Sequence, residues 1–214
     1  MTTALATRWQ PLGSGRQSPP GSLHDARLAE RIASYKREVA GAYRSLALAD
    51  VGSVLRSGPC SVSAKIDGMT AYLYRRDGVT VLLTPTGQVL TELPLTAEAD
   101  QLLGDWTGLL AGELHAASEQ GRPTIYGLLS ALGGGAAAPV ERLRFAAFDL
   151  LQDGDADTQA LSYIERAHRL QSLLVNGTLA YAVPVIAADT ADDLLACYQR
   201  EVVERGGEGL VIHG

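Results

Sequence analysis

Apolar positions set the first outline of the chain. Leu28, Ile32, Tyr35, Val39 and Leu46 recur at helical spacing. Ser22 followed by Asp25 resembles an acidic variant of a capping box, so a helix is expected over about 23–48. After it the period shortens to that of strands. Strand-like runs occupy 61–65, 69–75, 79–84 and 88–90, with Arg76-Asp77-Gly78 as a hairpin turn. Thr96 is expected to cap a short helix ending near 103. Residues 109–116 read as a strand carrying Glu113 in mid-run, 121–123 as a turn and 124–131 as a short helix. Gly133-Gly134-Gly135 and the alanines after it read as a flexible loop.

Further on, 142–151 is a buried strand with Phe145 and Phe148, 152–158 an acidic loop and 160–175 an amphipathic helix. Residues 180–186 are strand-like, but Pro184 makes that an edge or interrupted strand. A helix over 191–205 stops at Gly206-Gly207, and 208–213 begins a last strand. Residues 1–21, rich in Gly, Pro, Ser and Thr, are expected to be a flexible arm. Hairpins mixed with separate helices predict an α+β domain over 22–214, with antiparallel sheets flanked by helices.

Composition narrows the class. The 214 residues carry 46% hydrophobic and 20% charged side chains, enough for one domain with a sizeable core. A net charge of −6 argues against nucleic-acid binding by bulk electrostatics, though not against a local basic groove. Cys60 and Cys197 form neither a disulfide framework nor a zinc spacing, and a reducing, cytoplasmic setting fits. No signal peptide is evident and no apolar stretch is long enough to span a membrane.

Chemistry centres on Ser63-Ala64-Lys65-Ile66-Asp67-Gly68, between two strand-like runs. Asp-Gly supplies a tight turn, so the lysine before it is held at a fixed point. An amine held half-buried gives up its charge more readily and can act as a nucleophile. Gly112-Glu113-Leu114, Phe148-Asp149-Leu150-Leu151 and Glu208-Gly209-Leu210-Val211 follow in order. Alone, each has a bland reading: an edge-strand carboxylate, a core aromatic, a loop cap. Together they supply what a nucleotide needs: an aromatic face, a hydroxyl acceptor, an acid for a phosphate-bound cation and a nucleophile.

In these motifs the chain resembles the adenylylation domain of ATP-dependent DNA ligases, one of the covalent nucleotidyltransferases. The likeness covers about residues 60–214 and includes Gly121-Arg122-Pro123 and Tyr163–Leu174 with Glu165-Arg166. It implies a nucleotidyltransferase (ATP-grasp-like) fold, with ATP and Mg²⁺ (or Mn²⁺) as cofactors. By the resemblance Lys65 attacks the α-phosphorus of ATP to form lysyl-AMP. Glu113 contacts the ribose, Phe148 stacks on adenine, Glu208 organises the metal's hydration and Asp67 serves the later steps on nucleic acid. The implied partner is nicked or broken DNA ahead of RNA, with no membrane. An RNA ligase and a non-catalytic nucleotide-binding remnant are the alternatives.

Several positions depart from the family pattern. Ser63 stands where Glu is usual, Thr70 where Arg is usual, and Ala111 where an acid precedes Gly-Glu. Pro85 replaces the Arg of the next hairpin, and His213 a Lys or Arg after Glu-Gly. Arg75 or Arg76 is the candidate substitute for Thr70 at the ribose. No segment after Gly214 supplies the family's last two lysines or its oligonucleotide-binding domain, so a C-terminally incomplete domain is expected.

Overall fold

The computed structural model describes residues 5–39, 42–51, 59–118 and 122–213. The first strands are β1 (Gln10–Leu12) and β2 (Gly15–Gln17), followed by helix α1 (Ala26–Glu38). Strands β3 (Cys60–Lys65), β4 (Met69–Arg76), β5 (Val79–Leu83) and β6 (Val89–Thr91) precede α2 (Pro94–Leu103). Then come β7 (Gly108–Ala116), α3 (Ile125–Gly133), β8 (Leu143–Asp153), β9 (Ala156–Asp157) and α4 (Tyr163–Leu173). The chain finishes with β10 (Ala180–Ala182), β11 (Val185–Ala188), α5 (Ala191–Tyr198) and β12 (Gly209–His213).

These strands form two sheets. The larger runs β1-β2-β6-β5-β4-β7-β8-β10, with β9 folded back on β8. The smaller is β11-β3-β12, with β3 in the centre. The expected α+β class therefore holds, and its pairings are antiparallel except for β10, which runs parallel to β8. On one face of the large sheet, Leu95, Ala99, Leu128 and Leu170 from α2, α3 and α4 pack over Leu73, Leu110 and Phe145. On the other, Leu28 and Ile32 of α1 cover Tyr72, Leu83, Leu109 and Ala111. The small sheet has its own core of Cys60, Val62, Ala188, Leu194 and Cys197.

The chain passes between the sheets at two visible points. One is Ile66–Gly68, between β3 and β4; the other is Val183-Pro184, between β10 and β11. Pro184 is thus the interruption its chemistry predicted: it lacks an N–H, and pairing switches there from β8 to β3.

Four expectations need correcting. The 1–21 stretch is not simply an arm: β1 and β2 form a hairpin that pairs with β6 and buries Leu12. Gly13 turns it with φ 55, so the glycine read as disorder is a turn residue. Helix α1 is half the expected length. Asp25, not Ser22, caps it by accepting from the Leu28 N–H, and Leu46 is 41% exposed rather than in the core. Gly135–Ala137 form a 3₁₀ turn that leads into buried Ala138. The 191–205 helix is α-helical only to Tyr198 and continues as a π-helix over Gln199–Glu204, then stops at Gly206 with φ 69. Gly121 of the expected 121–123 turn lies outside the described residues. Among the described residues no helix is long and apolar enough to cross a membrane.

Candidate active site

Lys65 is the last residue of β3, at the point where the chain leaves the small sheet for the large one. Alternation along β3 puts Ser61, Ser63 and Lys65 on one face, opposite the face that buries Cys60 and Val62. Strand β12 pairs antiparallel with β3, placing Gly209 beside Lys65, Val211 beside Ser63 and His213 beside Ser61. Glu208, just before Gly209, meets the Lys65 amine: Nζ and Oε1 are 2.5 Å apart. Both side chains stay in contact with water, at 49% and 34% exposure.

The Ile66–Gly68 crossing after Lys65 is pressed against β7. A Cβ on Gly68 would collide with the Leu114 carbonyl, so only glycine lets the crossing lie there. This close approach brings Glu113 of β7 into the group. Its carboxyl is pushed up to about 7, chiefly by burial. Lys65 and a hydrogen bond from Thr70 oppose that shift, whereas the charges of Glu208 and Asp67 add to it. Glu113 and Glu208, distant in sequence from Lys65 and Asp67, therefore sit within electrostatic reach of them. Thr70 faces Glu113 across the β4–β7 ladder, where an Arg was the family expectation.

Phe148 is on β8, the strand that pairs with β7. It lines a pocket of about 250 Å³ with Tyr35, Val39, Tyr43, Asp149, Tyr163, Arg166 and His213. The rings of Tyr163 and His213 are stacked, 3.7 Å between centroids and 12° between planes. Burial holds the His213 imidazole down to about 4, so it is neutral at physiological pH. Ser63 Oγ lies 3.5 Å from His213 Nε2, which ties this pocket to the lysine strand. Two strand residues span about 6.8 Å, so Lys65 stands one such step from Ser63. A larger groove of about 730 Å³ along α1 shares Tyr35, Val39, Asp149 and Arg166 with this pocket, and Lys65 lines neither.

Behind Phe148 is a group that sequence spacing did not reveal. Asp149, 6% exposed, accepts from Tyr35 Oη at 2.9 Å and from Arg166 Nε at 2.6 Å. Its Oδ1 also accepts from the Leu150 N–H at 2.9 Å. One carboxylate thereby joins α1, β8 and α4. Burial and the Asp149 charge together push the Tyr35 hydroxyl well above its ordinary range. The partners come from three elements, so no local motif marks them.

Neither Arg75 nor Arg76 reaches the site, which corrects the expectation that one would replace the missing Arg. Both lie at the end of β4 far from Lys65, with Arg75 paired opposite Gly108. Arg75 is buried and committed to Asp100, Thr80 and the Gly104 carbonyl; Arg76 pairs with Asp155. The Thr84–Gly87 turn, with Pro85, is held by the Gly21 and Ser22 N–H groups, which donate to Thr86 and Gly87.

A divalent cation can be tested against this donor set. Among the described residues no cluster of three or more His, Cys, Asp or Glu forms a ready cage. Mg²⁺ does not require one, because it keeps several waters and takes one or two carboxylates plus substrate phosphates. Glu208 and Asp67, as hard oxygen donors near Lys65, fit that mode.

This arrangement of two sheets has counterparts among solved structures. A mycobacterial DNA ligase D complexed with ATP superposes with a TM-score of 0.51 at 23% identity, over 73% of this chain and 48% of that one. This is the ligase nucleotidyltransferase fold. A second ligase-named chain, Pmar-Lig_PreS3, superposes at a TM-score of 0.59 and 13% identity, over 75% of this chain and 40% of that one. The ligase domain of M. tuberculosis LigD gives 0.51 at 23% identity, again over 73% and 48%. The chain thus spans about half or less of the length of these ligases. No family model and no curated protein matches it. In this fold Lys65 stands at the crossing between the two sheets.

Proposed function

We propose that this chain is the nucleotide-activating part of an ATP-dependent polynucleotide ligase, acting on nicked or broken DNA. The observation that carries this is the meeting of Lys65, Asp67, Glu113 and Glu208 beside an aromatic pocket that holds Phe148. In this reading the base lies on Phe148, Glu113 accepts from the ribose hydroxyls, and the α-phosphate reaches Lys65. The Lys65 amine attacks the α-phosphorus. A P–N bond forms, the bond to the bridging oxygen breaks, and pyrophosphate leaves. The ammonium sheds one proton before attack and the nitrogen another afterwards, with Glu208 the adjoining carboxylate. A divalent cation, if bound, would be held by Glu208 and would supply charge neutralisation on the phosphates. Asp67, on the crossing after the nucleophile, faces the path of the polynucleotide in the later steps.

A second reading is reversible nucleotide binding without transfer. The commitment of Arg75 and Arg76 elsewhere favours it, because neither can assist at the ribose. ATP–pyrophosphate exchange separates the two. The first reading predicts Mg²⁺-dependent exchange of labelled pyrophosphate into ATP. It also predicts a fall of about tenfold or more in Phe148→Ala, from lost stacking. Calorimetric ATP binding with no exchange would establish the second reading instead.

A further inference from the structure

The pocket around Phe148 has an unusual electrostatic character, and this inference rests on the nucleotide reading above. At about 250 Å³ it is smaller than the usual cavity for a drug-sized ligand, so it suits one ring system rather than a whole nucleotide. Four of its lining side chains besides Phe148 are aromatic: Tyr35, Tyr43, Tyr163 and His213. Among the described residues its only charged members are Asp149 and Arg166, and they are spent on each other and on Tyr35. Asp149 keeps 8% of its side chain exposed and Arg166 18%, which leaves little of either for a ligand. The Tyr163 hydroxyl is out of water; Ser63 is its polar neighbour, but no bond of good geometry joins them.

A base is told apart from its analogues by groups at its edge. A free carboxylate accepts only, so it would favour an exocyclic amine and repel a carbonyl; a free guanidinium would do the reverse. Neither is offered here. The Tyr43 and Tyr163 hydroxyls and a neutral imidazole can both donate and accept, so they satisfy either edge, whereas the Tyr35 proton is committed to Asp149. Stacking on aromatic faces is likewise tolerant, because every base has a π-face.

We propose that this pocket holds its nucleobase by stacking between Phe148 and the Tyr163–His213 pair, and therefore takes 6-amino and 6-oxo purine triphosphates alike. The stacked Tyr163–His213 pair is the part of the wall that belongs to this sequence in particular, since His213 stands where a cation is usual.

The test is equilibrium binding of ATP, ITP and GTP to the purified chain with Mg²⁺, by calorimetry. ITP differs from ATP at the purine 6-position and isolates that edge. Dissociation constants for the three within about tenfold of one another are expected. His213→Ala and Tyr163→Leu should each weaken all three by about tenfold without changing their ratio. Circular dichroism on both variants separates lost stacking from lost folding, and Tyr163→Leu keeps the apolar volume should the histidine variant unfold. A preference for ATP over ITP greater than about tenfold overturns the inference while leaving the nucleotide reading intact. Equal affinities untouched by either folded variant overturn it as well. Failure of all three triphosphates to bind the wild-type chain would overturn both.

Discussion

Glu113→Gln is expected to make the protein more stable at pH 8, and to leave stability unchanged near pH 4.5. The native carboxyl is pushed up to about 7, with burial the largest cause. Folding therefore favours its protonated form. The stability this group contributes is fully present below its unfolded value of 4.5 and is lost as pH rises through about 7. At pH 8 the wild type buries a carboxylate at a cost of up to about 3 kcal/mol, since each tenfold change in proton affinity is worth ~1.4 kcal/mol. Glutamine is neutral and similar in shape, so it removes that cost. A gain of roughly 5–10 °C in Tm at pH 8 follows for a chain of this size. Melting curves of both proteins from pH 4.5 to 8.5 check it. A variant equal to or less stable than wild type across that range would contradict the burial argument. The same substitution should weaken ATP binding by about tenfold, since a carboxylate accepts from a hydroxyl more strongly than an amide does. Stability and binding would then move in opposite directions, as expected where a charge is kept buried for function.

The second large effect is at Asp149. Asp149→Ala leaves Arg166 buried without its partner and frees the Tyr35 hydroxyl from its only acceptor in this group. Breaking one side of such a pair costs about 3–5 kcal/mol, because the surviving charge is left uncompensated. A fall in Tm of roughly 6–15 °C is expected. Asp149→Asn should lose less, since the amide oxygen still accepts from Tyr35 or Arg166. Because α1 and α4 meet β8 through this carboxylate, loosening should be concentrated in those elements. Hydrogen exchange should therefore rise in residues 26–38 and 163–173 before it rises in β7. An unchanged Tm, or uniform loss of protection, would show that the network is not what fastens the helices.

Much of this was legible in the sequence, and the remainder was hidden for identifiable reasons. Lys65 before Asp-Gly announced a strand end, which rests on local chemistry, but the tight turn expected there is instead a crossing, Ile66–Gly68, from the small sheet to the large one. Pro184 announced a break in pairing for the same reason, although not that the strand would change sheets. Register across strands was not readable. That Gly209 would fall beside Lys65, and so deliver Glu208 to the amine, follows from the β3–β12 pairing of residues about 140 positions apart. The β1–β2 hairpin was hidden because its strands are three residues each and depend on the edge of β6. Helix α1 was overextended because Leu46 keeps the helical period by coincidence, while tertiary packing ends with Tyr35 and Val39. Asp149 sat inside a quoted motif, yet its partners on α1 and α4 could be found only in three dimensions.

The most direct test of the central claim is covalent labelling of Lys65. The purified chain is incubated with α-labelled ATP and Mg²⁺, denatured and run on a gel, beside Lys65→Ala and Lys65→Arg. The label should be acid-labile and base-stable, as a phosphoramidate is, and should be absent from both variants. Mass spectrometry of the labelled peptide should place AMP on Lys65. Label that survives in Lys65→Ala would contradict the assignment of the nucleophile. ATP that binds the wild-type chain without ever becoming attached would contradict the account of this cleft as a site of nucleotidyl transfer.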